Sequence, residues 1–190
     1  MSNGRFLGFW MLAFLGFPLA GLLAIGVVGS IDDLVTAGLA GALAGLVIGS
    51  AQFLVLRRRA GIGLEWILAT TAGLALGNAV GTGLTDYGTN VGDLIVMGIA
   101  AGVAVGVAQW LTIRGREPLA LLWPVAVVVA WPVGWVVTWS IGVDVERGYA
   151  VFGASGALVF AAISGLAMVV VTRRSRVASA AAVGVEMAQP

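Results

Sequence analysis

The chain has 190 residues, 60% of them hydrophobic and only 10% charged, with a formal net charge of +1; an ordinary soluble domain carries roughly a quarter charged residues. It has neither Cys nor His, which excludes disulfide scaffolds, thiol chemistry, haem ligation by imidazole or thiolate, and zinc sites of the usual type. Every basic residue is an arginine and the charge is near balance, so nothing points to nucleic acid as a partner.

The apolar residues fall in unbroken runs of about twenty, the length that crosses a hydrocarbon layer roughly 30 Å thick at 1.5 Å per residue. Met1 to Arg5 is a short polar start, and Phe6 to Val28 is the first run. A signal peptide competes for this stretch, because Arg5 precedes it and Gly29 and Ser30 follow. The run exceeds an apolar signal core of roughly 7–15 residues and is read as a retained helix. The second run is Leu34 to Leu56, introduced by Asp32 and Asp33 and closed by Arg57, Arg58 and Arg59. The third covers Trp66 to Thr85, the fourth Leu94 to Ile113, the fifth Leu119 to Val143 and the sixth Val151 to Thr172. Short loops make neighbouring helices antiparallel. Residues 177–190, rich in Ala, Ser and Val, are expected to form a flexible tail.

Arginine placement gives an orientation. One set of ends carries Arg5, Arg57, Arg58, Arg59, Arg114, Arg116, Arg173, Arg174 and Arg176, against Arg147 alone on the other. The excess marks the arginine side as cytoplasmic, with both termini there, in a multi-pass protein of the cell membrane. The opposite loops hold Asp32, Asp33, Asp86, Asp93, Asp144 and Glu146. Asp33 and Asp93 directly precede apolar helices and are read as N-caps, in preference to an acidic ring that gathers cations.

Gly41 to Arg59 and Gly98 to Arg116 are two versions of one pattern, offset by 57 residues. Glycines recur at every fourth position (Gly41, Gly45, Gly49; Gly98, Gly102, Gly106), then come Ala-Gln, an aromatic and a closing arginine. Helix six keeps the register as Ala157, Ala161, Gly165, with Met168 aligned to Gln52 and Gln109. In the odd helices Trp10, Trp66 and Trp123 recur, each followed eleven positions on by Gly21, Gly77 or Gly134. The predicted fold is an all-α integral membrane domain over 1–176. It contains three parallel helical-hairpin repeats, about 4–59, 60–116 and 117–176, arranged with pseudo-threefold symmetry. Two unrelated three-helix halves are the alternative. Glycine at every fourth position makes a groove for close backbone approach; the even helices are expected at the centre or against odd-helix grooves, rather than around a glycine-lined pore.

Gln52 and Gln109 are the most pointed polar residues, each five positions before an arginine. With Met168 as third member they define a candidate polar ligand site, against the plainer reading of interhelical hydrogen bonds, worth about 0.6–2 kcal/mol each. Asn78 is a further candidate, read first as a helix-to-helix contact; Thr70, Thr71 and Thr82 in the same helix bond their own backbone in the usual case and say little. No Asp, Glu or Arg lies in the middle of any run, which argues against a proton-coupled pump. In helix five Trp131, Trp135 and Trp139 lie on one face, and Pro124 and Pro132 interrupt the backbone ladder. That stripe either anchors the outer interface or lines a pocket for a flat apolar ligand, and Trp131 is the deepest of the three. Glu65, Glu117 and Glu186, near the arginine side, have no partner base, nucleophile or metal ligand set. The chain is read as non-enzymatic, with no cofactor.

The Gly-x3-Gly-x2-Ala-Gln-[Phe/Trp]-Leu-x-[Leu/Ile]-Arg stretches resemble repeats in uncharacterised small multipass membrane proteins of bacteria, a resemblance that covers two or three helices and implies no function. Three hairpins are also similar to the mitochondrial carrier architecture, but the Pro-x-acid-x-x-base signature is missing and the repeat is too short. The membrane substrate-binding subunits of vitamin importers match in size only. Two functions are carried forward. One is a binding or accessory subunit offering apolar interhelix grooves to membrane lipid, a pigment or other apolar small molecule, or a partner membrane protein. The alternative is a small-solute facilitator or channel.

Overall fold

The computed structural model describes residues 1–143 and 149–172, with side chains for all of these except 149–153. The expected tail, Arg173, Arg174, Arg176, Glu186 and the loop charges Asp144, Glu146 and Arg147 lie outside the described residues. The described chain is all helical, with six spans long and apolar enough to cross a membrane. It is a multipass membrane protein.

The first span is broken in two: α1 (Asn3–Leu12) and α2 (Gly16–Val28) are joined by a tighter turn at Ala13–Leu15. Pro18 explains the break, since it has no N–H for the Phe14 carbonyl four residues back and its ring crowds that group. Next comes α3 (Leu34–Ala60), started by a reciprocal cap in which the Asp33 carboxylate accepts the Thr36 N–H at 2.7 Å. It runs beyond the expected end at Leu56, because arginines are good helix formers and suit the negative end of the helix dipole. It stops at Gly61 in the left-handed conformation, φ +60°. After α4 (Glu65–Leu84), α5 (Val91–Ile113) begins three residues earlier than predicted. Its N-cap is Asn90 and not Asp93; Asp93 is the third helical residue and reaches back to the Asn90 N–H. The fifth span, α6 (Leu122–Ser140), is shorter than the predicted 119–143. Pro124 falls in its first turn, where an N–H would have no helical partner, so it interrupts nothing; Pro132 alone lies inside the helix. The chain returns in α7 (Tyr149–Val171).

Each span packs against its neighbours in sequence, and the first closes onto the last through α1 and α2 against α7. No described helix packs across this ring. The even helices are therefore not central, which corrects one of the two expected placements.

The glycines define the seams. A Cβ at Gly45 would lie 2.5 Å from the Thr71 Cα, and one at Gly49 would meet Ile67, while Gly41 sits against the Leu74 carbonyl. Rising numbers in α3 thus meet falling numbers in α4, so the pair is antiparallel. The α5 ladder meets α6 in the same way, Gly98 on Pro132, Gly102 on Val128 and Gly106 on Pro124, each within 3.0 Å of a Cα. A ladder not foreseen from sequence, Gly73, Gly77 and Gly81 of α4, rests on Val105, Ala101 and Met97 of α5. Gly134 and Gly156 join α6 to α7 back to back. The glycines of the three ladders occupy seams between helices, because membrane helices gain by close backbone contact where no water drives them together.

Candidate functional site

A ring of six helices leaves an axis to be filled, and its two halves are filled differently. In the half towards the arginine-bearing ends the axis is occupied by Trp10, Trp66 and Trp123, all but fully buried. Trp123 stands at the middle, its ring centroid 5.6 Å from that of Trp66 and 6.1 Å from that of Trp10. Phe6, Leu56, Ile113 and Met168 complete the core.

An indole N–H buried in hydrocarbon needs an acceptor. The Trp66 Nε1–H donates to Gln52 Oε1 at 3.1 Å, and the Trp123 Nε1–H donates to Gln109 Oε1 at 3.0 Å. In sequence both pairs are separated by 14 residues. The Gln109 amide nitrogen donates to Gln52 Oε1 at 3.2 Å and to Thr70 Oγ1 at 2.8 Å, and the Thr70 hydroxyl donates to the Trp66 carbonyl. The Trp10 Nε1–H finds Ser164 Oγ at 3.1 Å, one helical turn before Met168. Gln52 and Gln109 do meet, but only 4% and 1% exposed and inside this network, and Met168 is wholly buried beside them. None of the three lines the cavity in the other half of the axis, and the two glutamines sit in a packed hydrogen-bonded layer, as in the plainer of the two sequence readings. Two of its members escaped the sequence reading. Thr70 accepts from another helix as well as bonding its own backbone, and Ser164 takes the acceptor role that Met168 cannot fill. The recurring 14-residue offset between Gln and Trp was the available signal.

The other half of the axis is hollow. A cavity of about 430 Å³ lies there, within the range of roughly 300–1,000 Å³ usual for small-molecule sites. Stripes at helical spacing face it from each span: Ala37, Ala40, Ala44 and Ile48 of α3, for example, one face away from the glycine ladder of the same helix. Small residues such as Ala37, Ala40, Ala44, Ala101 and Ala157 on these inward faces leave the space. Its deep wall is aromatic: Phe160 is 5.3 Å from Phe17 and 4.9 Å from Trp131 between ring centroids. Ser30, Asp32 and Thr89, from the loops between spans, form the rim at the end remote from the arginines.

Asn78, Trp131 and Trp135 are brought together on this cavity. Asn78 was first read as a contact between helices, yet its amide makes no hydrogen bond among the described residues and faces the open space with Thr82 one turn above. Trp139 is half exposed on the outer surface. Among the described residues no group of His, Cys, Asp or Glu could hold a metal ion. At the rim, the Thr36 backbone N–H and then its hydroxyl hold the Asp33 carboxyl below the usual carboxylate range.

No protein-family model, no curated protein and no solved structure matches the chain.

Proposed function

We propose that this is a non-enzymatic multipass membrane protein that binds a small, largely apolar molecule in the axial cavity. The observation that carries the reading is an axial cavity, aromatic at its deep end, with an unpartnered amide, Asn78, on its wall. Asn78 is half-buried, and an amide that bonds nothing in the fold is available to a ligand in the cavity. The tryptophan layer supports binding over passage, since a solute entering at the rim meets Trp66 and Trp123 packed without space beneath it. A facilitator would need that layer to open, breaking the Gln52, Gln109 and Thr70 bonds together.

The three-hairpin organisation belongs to the same proposal. It is supported by the two Trp to Gln bonds at equal sequence offset and by Trp10, which turns back to α7 for the third. Lipid acyl chains are the proposed neighbours of a second, outward groove between α4 and α5, walled by residues such as Val80, Ile99 and Val103. The arginine-bearing ends are assigned to the cytoplasmic side of the cell membrane.

The test is to purify the protein and an Ala40→Phe variant, which fills the cavity, and compare the small molecules extracted from each. A compound retained at stoichiometric amounts by the parent and lost from the variant supports the reading. Solute flux into liposomes by the parent, blocked by no cavity substitution, would overturn it.

A further inference from the structure

The cavity wall is graded in polarity, and the gradient bears on the chemistry of its occupant. This step rests on the binding reading above and adds the kind of head group. Phe17 and Phe160 lie eleven residues from the rim ends of α2 and α7, roughly 16 Å down at 1.5 Å per residue. Around them are Ile48, Leu74 and Ala101, with no polar side chain at that depth. Asn78 lies six residues from the end of α4, about 9 Å down. Thr82 is a turn higher, and its hydroxyl likewise makes no hydrogen bond among the described residues. Above them come Ser30, Asp32 and Thr89.

Among the described lining residues there is no cation, and the single carboxylate, Asp32, is exposed at the rim and accepts a hydrogen bond from the Ser30 hydroxyl. An anionic head placed at the level of Asn78 would be stripped of water with no positive partner. A permanent cation there would be roughly a helical turn and a half below Asp32, the nearest carboxylate among the described lining residues. Both carry the cost of an unpaired buried charge. A neutral group has no such cost and finds two groups to bond: an amide that both donates and accepts, and a hydroxyl that does the same.

We infer that the cavity is built for an uncharged amphiphile, one molecule at a time, with its apolar body against Phe17, Trp131 and Phe160 and a hydroxyl, carbonyl or amide head bonded to Asn78 and Thr82. The head points to the rim and the body towards the tryptophan layer. The volume admits one ring system or one short chain, and it excludes a two-chain lipid.

The probes are dodecanol, dodecanoate and dodecyltrimethylammonium, which share a chain and differ in head charge. Each is titrated into the full-length protein in phosphatidylcholine nanodiscs, with empty nanodiscs and the Ala40→Phe variant measuring partition into lipid. Dodecanol is expected to bind saturably and to raise the unfolding temperature. The two charged probes are expected to bind at least about tenfold more weakly, given the cost of an unpaired buried charge. Asn78→Leu is expected to weaken dodecanol about fivefold, the value of one net hydrogen bond. It should not lower the unfolding temperature of the ligand-free protein, because the amide it removes bonds nothing in the fold. Dodecanoate or the quaternary amine binding as tightly as dodecanol would overturn the head-group assignment while leaving a binding site standing. An unchanged dodecanol affinity in folded Asn78→Leu would overturn it too. Saturable binding by none of the three, with the protein folded, would remove the binding reading itself and this assignment with it.

Discussion

The two halves of the helix ring are made from the same spans and differ in what each span turns inward. Towards the arginine-bearing ends the inward residues are Phe6, Trp10, Trp66, Trp123 and Met168, and the three indole N–H groups donate to Ser164, Gln52 and Gln109. Towards the acidic loops alanines such as Ala37, Ala40, Ala44 and Ala101 turn inward and leave space, and the polar side chains Asn78 and Thr82 are left open. The seams do not distinguish the halves, since glycines hold α3 to α4 and α5 to α6 along both. Side-chain volume on the axis alone separates a packed plug from a binding cavity. Rigidity and vacancy are therefore set by different stripes on one helix: in α3, Gly41, Gly45 and Gly49 fix the neighbour, while Ala37, Ala40 and Ala44 leave the space.

The comparison breaks most severely where a seam shared by both halves is forced apart. Gly45→Val places a Cβ 2.5 Å from backbone that cannot give way. The expected loss exceeds about 3 kcal/mol, seen as a collapse in the yield of folded protein on size exclusion. A variant that eluted normally would show the seams to be looser than their geometry. Gln109→Leu comes next, because it removes the acceptor of the Trp123 N–H and two donated bonds at once. A cost of about 3 kcal/mol in a denaturant titration is expected, with Gln52→Leu on top adding less than its own single effect, since the two share a bond. In the hollow half the sign reverses. Ala40→Leu puts carbon into empty space and is expected to stabilise the ligand-free protein by about 1 kcal/mol in the same titration; a cost like that of Gln109→Leu would mean that the axis there is already filled. The smallest effect is at the rim. The Asp33 carboxyl is held below its unfolded value, so its contribution is complete above the ordinary carboxylate pKa and fades as pH falls through the lower folded one. Asp33→Asn should flatten the acid side of a stability-against-pH curve, and an unchanged acid slope would remove Asp33 from that role.

Much of this architecture is legible in the residues themselves. Span count follows from apolar run length, and the seams from glycine at every fourth position, because both depend on local composition. The α4 ladder went unread since Gly73, Gly77 and Gly81 lie in only one span. The break before Pro18 and the harmless position of Pro124 depend on where each helix starts, which hydropathy fixes only to within a turn. The two halves of the axis were harder. Gln52 and Asn78 look alike as lone amides in apolar runs, yet one is bonded to Trp66 and the other faces open space. What separates them is the company on the axis, which other helices supply, and a small inward stripe such as Ala37, Ala40, Ala44 reads in isolation as helix packing.

The ring is joined across long stretches of chain. Trp10 reaches Ser164, and the Arg59 guanidinium, which lies 4.2 Å from the centre of the Phe6 ring, donates to Thr172 at 2.8 Å and to Asn3 at 3.0 Å. Spans two to five can settle against each other as they leave the ribosome, glycine ladder on helix, each on the one made just before. The first span can settle on α3 through α2, but the acceptor for its Trp10 lies in the last span. The Trp10 indole N–H is bare until α7 arrives, so the ring of this protein closes where it began, at α1.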